Sequence, residues 1–184
     1  MFALSLGEDA ELRPLQPWHA EEFLEHMNRA RDSIDPWIQW ASLSTDPKSA
    51  RATLQRYADN HARDTAHLYG IWLGGTLVGG VMFVHFDTES GVCEIGCWLE
   101  PAAEGRGLIT GASRHLVEWA FAERGMNRIE WRNSPNNERS SGVARRLGMS
   151  LDGVLRQSWP YRGVRHDTEV WSLLAEEWRG AKRA

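Results

Sequence analysis

The stretch from Cys93 to Gly111, CEIGCWLEPAAEGRGLITG, decides the fold of this chain. Its first part alternates with the period of two that is typical of a β-strand. The residues predicted on one face are Cys93, Ile95, Cys97 and Leu99. Pro101 then ends the strand, because it has no N–H for a ladder. A glycine-rich turn at 104–107 follows, and apolar residues recur at helical spacing from Leu108 onward. The stretch therefore predicts a strand, a glycine turn and a helix, in that order.

This order of elements is typical of phosphate binding. The start of a helix carries unpaired N–H groups and a partial positive charge, and glycines allow a ligand to approach them. A dinucleotide fingerprint would need a small residue at position 110, where Thr110 stands, and a nucleotide P-loop would need Gly-Lys-Ser/Thr. The sequence thus predicts an anion site of another kind, and the alternative is a turn that only joins strand to helix.

Length, charge and cysteine content narrow the class of protein. A chain of 184 residues is expected to form one domain, 1–184, and its net charge of −4 argues against a nucleic-acid binder. Cys93 and Cys97 would stand roughly 13 Å apart on one strand, too far for a disulfide. The thiols are therefore expected to be reduced, and the sequence shows neither a signal-peptide pattern nor an apolar run of ~20 residues. These features predict a cytoplasmic protein with no membrane partner.

The remaining patterns predict helices that cover a mixed sheet. Before the quoted stretch they place a strand at 10–15, helices at 18–30 and 46–58, and strands at 67–73 and 77–86. After it they place strands at 128–132, 151–159 and 167–174, and a helix at 140–147. Pro36 makes the segment 35–40 irregular, and Gly79-Gly80 indicates a bulge or a close backbone approach. The order β-αα-βββ-α-β-α-ββ is typical of an α/β (α+β) protein.

Three groups of residues resemble one enzyme family. EIGCWL (94–99) with EGRGLITGA (104–112) resembles motif A of the GNAT N-acetyltransferases, and more narrowly the RimJ/RimL branch. NERS (137–140) with VARRLGM (143–149), and DGVLRQ (152–157) with His166-Asp167, extend the resemblance from about Leu12 to Trp178. It implies the GNAT fold: a mixed, mostly antiparallel central sheet flanked by helices and splayed between the family's strands 4 and 5, here 94–99 and 128–132.

The resemblance also implies acetyl-CoA as co-substrate. The backbone at Cys97, Trp98 and Leu99 would then pair with pantetheine and supply the oxyanion donor. Asn137 would contact pantetheine, with Ser140 near the thioester sulfur. The residues implied to hold the pyrophosphate are Glu104, Gly105, Arg106, Gly107, Leu108 and Ile109.

Two residues are the candidates for proton transfer. Ser140 would protonate the leaving thiolate, and Glu94 would accept the amine proton through water, since general acids and bases must lie near the reacting atoms. Without the family, Asn137 is equally an N-cap and Ser140 an ordinary first-turn residue, and Glu94 could simply pair with an arginine. His166 with Asp167 is the rival base, and Trp159 occupies the place where some relatives have a carboxylate.

The amine acceptor is the most open point. Trp37, Trp40 and Tyr161 are the candidate substrate-binding residues, because they are aromatic and lie in irregular or turn segments. A protein N-terminal α-amine, a small amine such as an antibiotic or polyamine, and an amino-acid derivative all remain open, as does another acyl donor such as succinyl-CoA. A non-catalytic acyl-CoA sensor is the alternative of another class. A homodimer is possible, and no metal-ligand spacing is present.

Overall fold

The computed structural model describes residues 3–38 and 40–181. The strands are β1 (Leu4–Gly7), β2 (Ala10–Pro14), β3 (His67–Leu73), β4 (Thr76–Asp87), β5 (Val92–Leu99), β6 (Arg128–Asn133), β7 (Ser150–Tyr161) and β8 (Val164–Leu174). The helices are α1 (Ala20–Ile34), α2 (Trp40–Leu43), α3 (Pro47–Ala62), α4 (Leu108–Ala122), α5 (Glu138–Arg146) and α6 (Ala175–Ala181).

The predicted elements are present, and the structure adds β1, α6 and the short helix α2, which begins at Trp40 in the segment 35–40 that was predicted to be irregular. The prediction missed β1, which pairs with β2 through a short turn after Gly7. Leu4 and Leu6 alternate as a strand requires, but four residues are too few to stand out from the background. It also missed α6, which directly follows β8; residues 182–184 lie outside the described part.

Backbone contacts divide the chain into two compact units, each described by itself. The first holds Met1–Val84 and Cys97–Ala112, and the second holds His85–Gly96 and Ser113–Ala184. Three elements, β4, β5 and α4, contribute residues to both. The prediction of a single domain over 1–184 stays a prediction.

The first unit is an antiparallel meander covered by two helices. β1, β2, β3 and β4 pair in chain order, each antiparallel to the next. One face of α1 and one of α3 bury their apolar side chains on this meander, as helical periodicity predicts. Asp46 caps α3 by accepting hydrogen bonds from the N–H groups of Lys48 and Ser49 at 2.9 and 3.0 Å. α1, α3 and the meander together contribute to the core of this unit.

Two adjacent glycines in β4 make room for Trp98, one for its indole ring and the other for its backbone. A Cβ on Gly80 would lie 2.2 Å from Cη2 of Trp98, and a Cβ on Gly79 would lie 2.5 Å from the Trp98 carbonyl oxygen. The β3–β4 register also shifts beside them, between Ile71 and Trp72. Both features predicted for Gly79-Gly80, a bulge and a close approach, are confirmed.

The second unit is where the sheet becomes mixed. β5 runs parallel to β6, whereas β6 pairs antiparallel with β8 and β8 with β7. The parallel ladder joins Val92, Cys93 and Glu94 to Arg128, Ile129 and Glu130, and β5 continues for five residues beyond it. The predicted mixed, mostly antiparallel sheet is confirmed, with strand pairing that ends where the splay was expected.

The last strand in the order, β7, is irregular in two places. Its register with β8 shifts between Leu151 and Gly153 and again between Leu155 and Trp159. Gln157 has a φ of 51°, and its N–H donates to the Asp167 carboxylate at 2.8 Å. The β7–β8 hairpin closes with Arg162 and Gly163, both at positive φ, as a two-residue type I′ turn requires.

Candidate active site

The alternation of β5 breaks at its carboxyl end. Cys93 and Ile95 are buried as predicted, but the next buried side chain is Trp98, while Cys97 and Leu99 are half-buried. The prediction that Cys97 and Leu99 share the buried face of Cys93 and Ile95 is therefore wrong, because neither side chain is fully buried. Ile95 and the next buried residue, Trp98, are three positions apart, so the buried face changes phase by one residue between them.

The glycine turn is open and shaped for close approach. Gly105 and Gly107 have φ values of 76° and 73°, and Gly105, Arg106 and Gly107 are exposed. The carbonyl of Gly107 accepts the N–H of Gly111 at 2.9 Å, so Gly107 directly precedes the first turn of α4. That first turn carries no acidic side chain, whereas Leu108 and Ile109 are buried and anchor the helix. An anion placed here would meet helix N–H groups and one arginine.

Asn137 and Ser140 lie together at the start of α5. Asn137 is the N-cap, and its side-chain oxygen accepts the Ser140 N–H at 3.2 Å. Both residues are half-buried. The structure shows the capping role of Asn137, and its contact with pantetheine stays a prediction.

The Ser140 hydroxyl is oriented by a tryptophan. Nε1 of the buried Trp131 donates to Ser140 Oγ at 2.8 Å. Because the indole N–H is a donor only, it takes up a lone pair of the hydroxyl and leaves the hydroxyl proton to point elsewhere. A serine held in this way is arranged to donate a hydrogen bond, as a group that protonates a leaving thiolate must.

Glu94 lies in a charged cluster on β5 and β6. The Arg132 guanidinium is 3.7 Å from its carboxylate and also binds Glu130 at 2.8 Å. Burial raises the pKa of Glu94, the Arg132 guanidinium lowers it, and the neighbouring Glu130 carboxylate raises it, so that the pKa stands above its usual range. A carboxylate with a raised pKa is a better proton acceptor than an ordinary surface glutamate.

Comparison with known protein families decides the identity. Residues 10–150 match the family model described as an acetyltransferase (GNAT) domain. The chain belongs to the GNAT acetyltransferase family. As a GNAT member it is an enzyme of the N-acetyltransferase class.

Similar proteins agree with the RimL-like branch of the GNAT family. YdaF of Bacillus subtilis, provisionally named a ribosomal N-acetyltransferase, is 30% identical over 99% of this chain and 100% of its own length. The ribosomal-protein-serine acetyltransferase of Escherichia coli is 23% identical over 94% of this chain and 97% of its own length. The solved structure of RimL, a ribosomal L7/L12 α-N-protein acetyltransferase in complex with coenzyme A, superposes with a TM-score of 0.88 over 95% of this chain and 99% of that one, at 20% identity. The predicted GNAT fold is confirmed.

The rival base does not form a dyad in this GNAT enzyme. His166 and Asp167 are neighbours in β8, so their side chains point to opposite faces of the strand. The Asp167 carboxylate accepts the Gln157 N–H of the β7 bulge, and the His166 ring lies 5.6 Å from that of Trp159. This geometry gives both side chains contacts with β7, which favours a structural role for them.

The three aromatic candidates for the acceptor site differ in exposure. Trp37 is 38% exposed in the turn after α1, which continues to Ile34, four residues past the predicted end at Ala30. Tyr161 is buried and stacks on Trp159 with ring centroids 4.8 Å apart, so the structure gives it a packing partner. The side chain of Trp40 lies outside the described part of the chain. Contact with an acceptor stays a prediction for all three.

Neither cysteine is suited to covalent catalysis. Burial raises the pKa of Cys93 to about 12 and that of Cys97 to about 12, so both thiols stay protonated near neutral pH. Over residues 3–38 and 40–181 no cluster of histidine, cysteine or acidic side chains could hold a metal ion. No helix in those ranges combines the length and apolarity of a membrane span.

A buried polar network surrounds Trp98, and no sequence motif predicted it. Trp98 Nε1 donates to Nε2 of His26 at 3.0 Å, and His26 Nδ1 lies 3.1 Å from a Glu100 oxygen that Arg29 also contacts at 3.3 Å. The signal in the sequence was weak: a histidine on the apolar face of α1, next to Phe23 and Met27. Burial lowers the pKa of His26 to about 4, although the Glu100 carboxylate opposes this shift.

We expect His26 to make stability depend on pH. The unfolded chain binds a proton at His26 near pH 6.5 and the folded protein only near pH 4, so the free energy of unfolding rises with pH across this window, by about 3 kcal/mol. A His26→Gln variant should lose this part of the slope in urea melts at pH 4, 5, 6 and 7. The exposed His85→Gln variant is the control, and an unchanged slope for His26→Gln would contradict the assignment.

Proposed function

We propose that this enzyme transfers the acetyl group of acetyl-CoA to a primary amine, with the α-amine of a protein N-terminus as the preferred acceptor. The observation that carries the proposal is the exposed Gly105-Arg106-Gly107 turn at the start of α4, which suits the pyrophosphate of the coenzyme. Acetyl-CoA supplies the activated acyl group when bound. The residues proposed to hold it are the backbone at 97–99, the turn at 104–109, and Asn137.

The proposed reaction is a direct transfer within a ternary complex. The neutral amine attacks the thioester carbonyl carbon, an N–C bond forms, and the C–S bond breaks. Glu94 receives the amine proton through water, and the coenzyme sulfur receives a proton from Ser140. The products are an amide and free coenzyme A, and exchange of protons with solvent resets both side chains.

The acceptor class rests on the relatives and on charge. Two relatives carry names that refer to ribosomal proteins, and the RimL structure belongs to an enzyme that acts on an α-amine. The net charge of −4 favours a cationic acceptor slightly. A small amine is the alternative acceptor that the test below separates from a protein N-terminus.

An acceptor panel tests this proposal. The protein is incubated with acetyl-CoA and, in parallel, with peptides that have free N-termini, an N-blocked lysine peptide, spermidine and an aminoglycoside, while release of free thiol is followed. We expect turnover with free N-terminal peptides and little with the blocked peptide. Turnover only with small amines would overturn the acceptor class, and binding of acetyl-CoA without turnover would indicate a sensor.

The proposed role of Glu94 predicts a shift in the pH profile. In Arg132→Gln the guanidinium that lowers the pKa of Glu94 is gone, so that pKa rises further. Because the base must be unprotonated to act, the acidic limb of kcat/KM should move to higher pH. Glu94→Gln, as the control, should lose that limb, and a limb that persists there would show that another group is the base.

The exposed Trp37 is proposed as one wall of the acceptor site. Trp37→Ala should change the ratio of the kcat/KM values for two acceptors by about tenfold, because one aromatic contact is worth about 1 kcal/mol or more. The KM for acetyl-CoA should stay unchanged. Thiol-release kinetics with two acceptors would measure this. A drop in melting temperature with unchanged kinetics would instead make Trp37 a packing residue.

A further inference from the structure

Helix α1 holds three neighbouring strands by polar contacts as well as by its apolar face. Glu22 accepts the indole N–H of Trp72 in β3 at 2.8 Å, and Arg29 donates to the Leu77 carbonyl in β4 at 2.7 Å. Between them, one turn after Glu22, His26 accepts the indole N–H of Trp98 in β5. The helix thus fixes the strand end that precedes the glycine turn.

The hydrogen bonds fix the tautomer of His26. The indole N–H can only donate, so Nε2 of His26 must be the acceptor and the ring proton must lie on Nδ1. Nδ1 then donates to Glu100, whose carboxylate also meets Arg29. The imidazole is neutral and links the indole to the carboxylate.

Trp98 is held in one position from several directions. Its ring lies against Gly80 and its carbonyl oxygen faces Gly79, while His26 fixes the indole N–H. Two residues later, the Glu100 N–H donates to the Val78 carbonyl at 2.9 Å. Side chain and backbone are therefore restrained together from Trp98 to Glu100, immediately before Pro101 and the turn.

We propose that His26 is a positioning residue for the coenzyme, acting through Trp98 and Glu100 to hold the backbone of residues 97–100 in its binding conformation. The inference rests on the proposed function, because it takes the backbone at 97–99 as the partner of pantetheine. His26 itself touches no substrate. Its neutral ring matters because a proton on Nε2 would confront the indole N–H and break the link.

The test compares two replacements of His26. Phenylalanine keeps a ring and removes both hydrogen bonds, whereas the amide of glutamine offers an acceptor and a donor about as far apart as the two ring nitrogens. His26→Phe should raise the dissociation constant for acetyl-CoA about tenfold, because the binding-competent backbone is less populated. His26→Gln should restore it to within about twofold. The KM for the acceptor should stay unchanged in both.

Glu22→Ala is the matched control. It removes the equivalent bond to Trp72 one turn earlier on the same helix, so it should lower the melting temperature without changing coenzyme affinity. Trp98→Phe removes the same bond as His26→Phe from the other side, and the double variant should bind acetyl-CoA no more weakly than either single variant. If His26→Phe fails to fold, Trp98→Phe with His26→Gln carries the comparison.

The outcomes separate this inference from the proposed function. Wild-type protein that binds no acetyl-CoA would overturn both. If the wild type binds acetyl-CoA and His26→Phe binds it equally well, the positioning role alone is overturned. The same holds for Trp98→Phe if His26→Phe does not fold. Additive losses of affinity in the double variant would also overturn the positioning role. A tenfold loss that glutamine restores, with Glu22→Ala unaffected, would establish it.

Discussion

Gly107→Val is expected to raise the dissociation constant for acetyl-CoA by about 10- to 100-fold, since each charge-assisted hydrogen bond lost to the phosphates is worth about 1.5–3 kcal/mol. Gly107 has a φ of 73°, which a β-branched residue resists, so the turn would open. A Cβ at this position meets no protein atom within 4 Å. The loss therefore comes from the turn conformation and from the ligand's approach, with no clash inside the protein.

Isothermal titration of acetyl-CoA would measure this effect, with Gly125→Val as the matched control. Gly125 also has a positive φ, 65°, and open space around its Cβ, so valine there carries a similar backbone penalty away from the turn. Both variants should lose similar stability, and only Gly107→Val should lose affinity. Unchanged affinity in a folded Gly107→Val protein would rule out the phosphate site.

Ser140→Ala is expected to lower kcat by about 10–1000-fold, the range over which water can partly replace a general acid. The affinity for acetyl-CoA should change little, because one neutral hydrogen bond contributes only about 1 kcal/mol. An acyl donor whose thiol has a lower pKa needs less protonation as it leaves. With such a donor the difference in kcat between variant and wild type should narrow.

The contact with Trp131 demands a second control for this experiment. Ser140→Ala leaves a buried indole N–H without its acceptor, which costs about 1–3 kcal/mol of stability and could disturb α5. Trp131→Phe removes the donor and keeps the hydroxyl, so it should retain much more activity than Ser140→Ala. Equal losses of kcat in the two variants, or equal deficits with both donors, would reduce Ser140 to a structural residue at a helix start.

The fold was predictable because its signals are local. Helical spacing, the interruption at Pro36 and the glycine turn each act within a few residues, and they predicted the type and order of the elements, although α1 and α3 each extend four residues beyond the predicted ends. The face of the residues after Gly96 was not predictable in this way. A one-residue slip in a strand depends on what the side chains meet, here the space above Gly80 that admits the Trp98 ring.

In the candidate site, too, the local features were predictable from the sequence and the long-range contacts were not. The turn at 104–107 and the Asn137–Ser140 pair follow from motif spacing. The contacts that hold these residues and the strand before the turn do not follow from motif spacing. His26 and Glu100 are 74 positions apart in the chain, and Ser140 contacts Trp131 across a loop. Such contacts arise only when elements pack, so motif spacing can indicate candidate site residues but not the side chains that hold them in place.

The two irregularities in β7 bear on how the protein behaves at high concentration. Strand β7 stands at the end of the strand order and exposes Leu151, Val154 and Leu155, about half of each side chain. A straight strand of this length would offer a template for aggregation by strand addition. The register shifts after Leu151 and after Leu155 leave only Gly153–Leu155 in regular pairing between them. Irregular pairing of this kind twists an edge strand, which is one way in which proteins protect their sheet edges from strand addition.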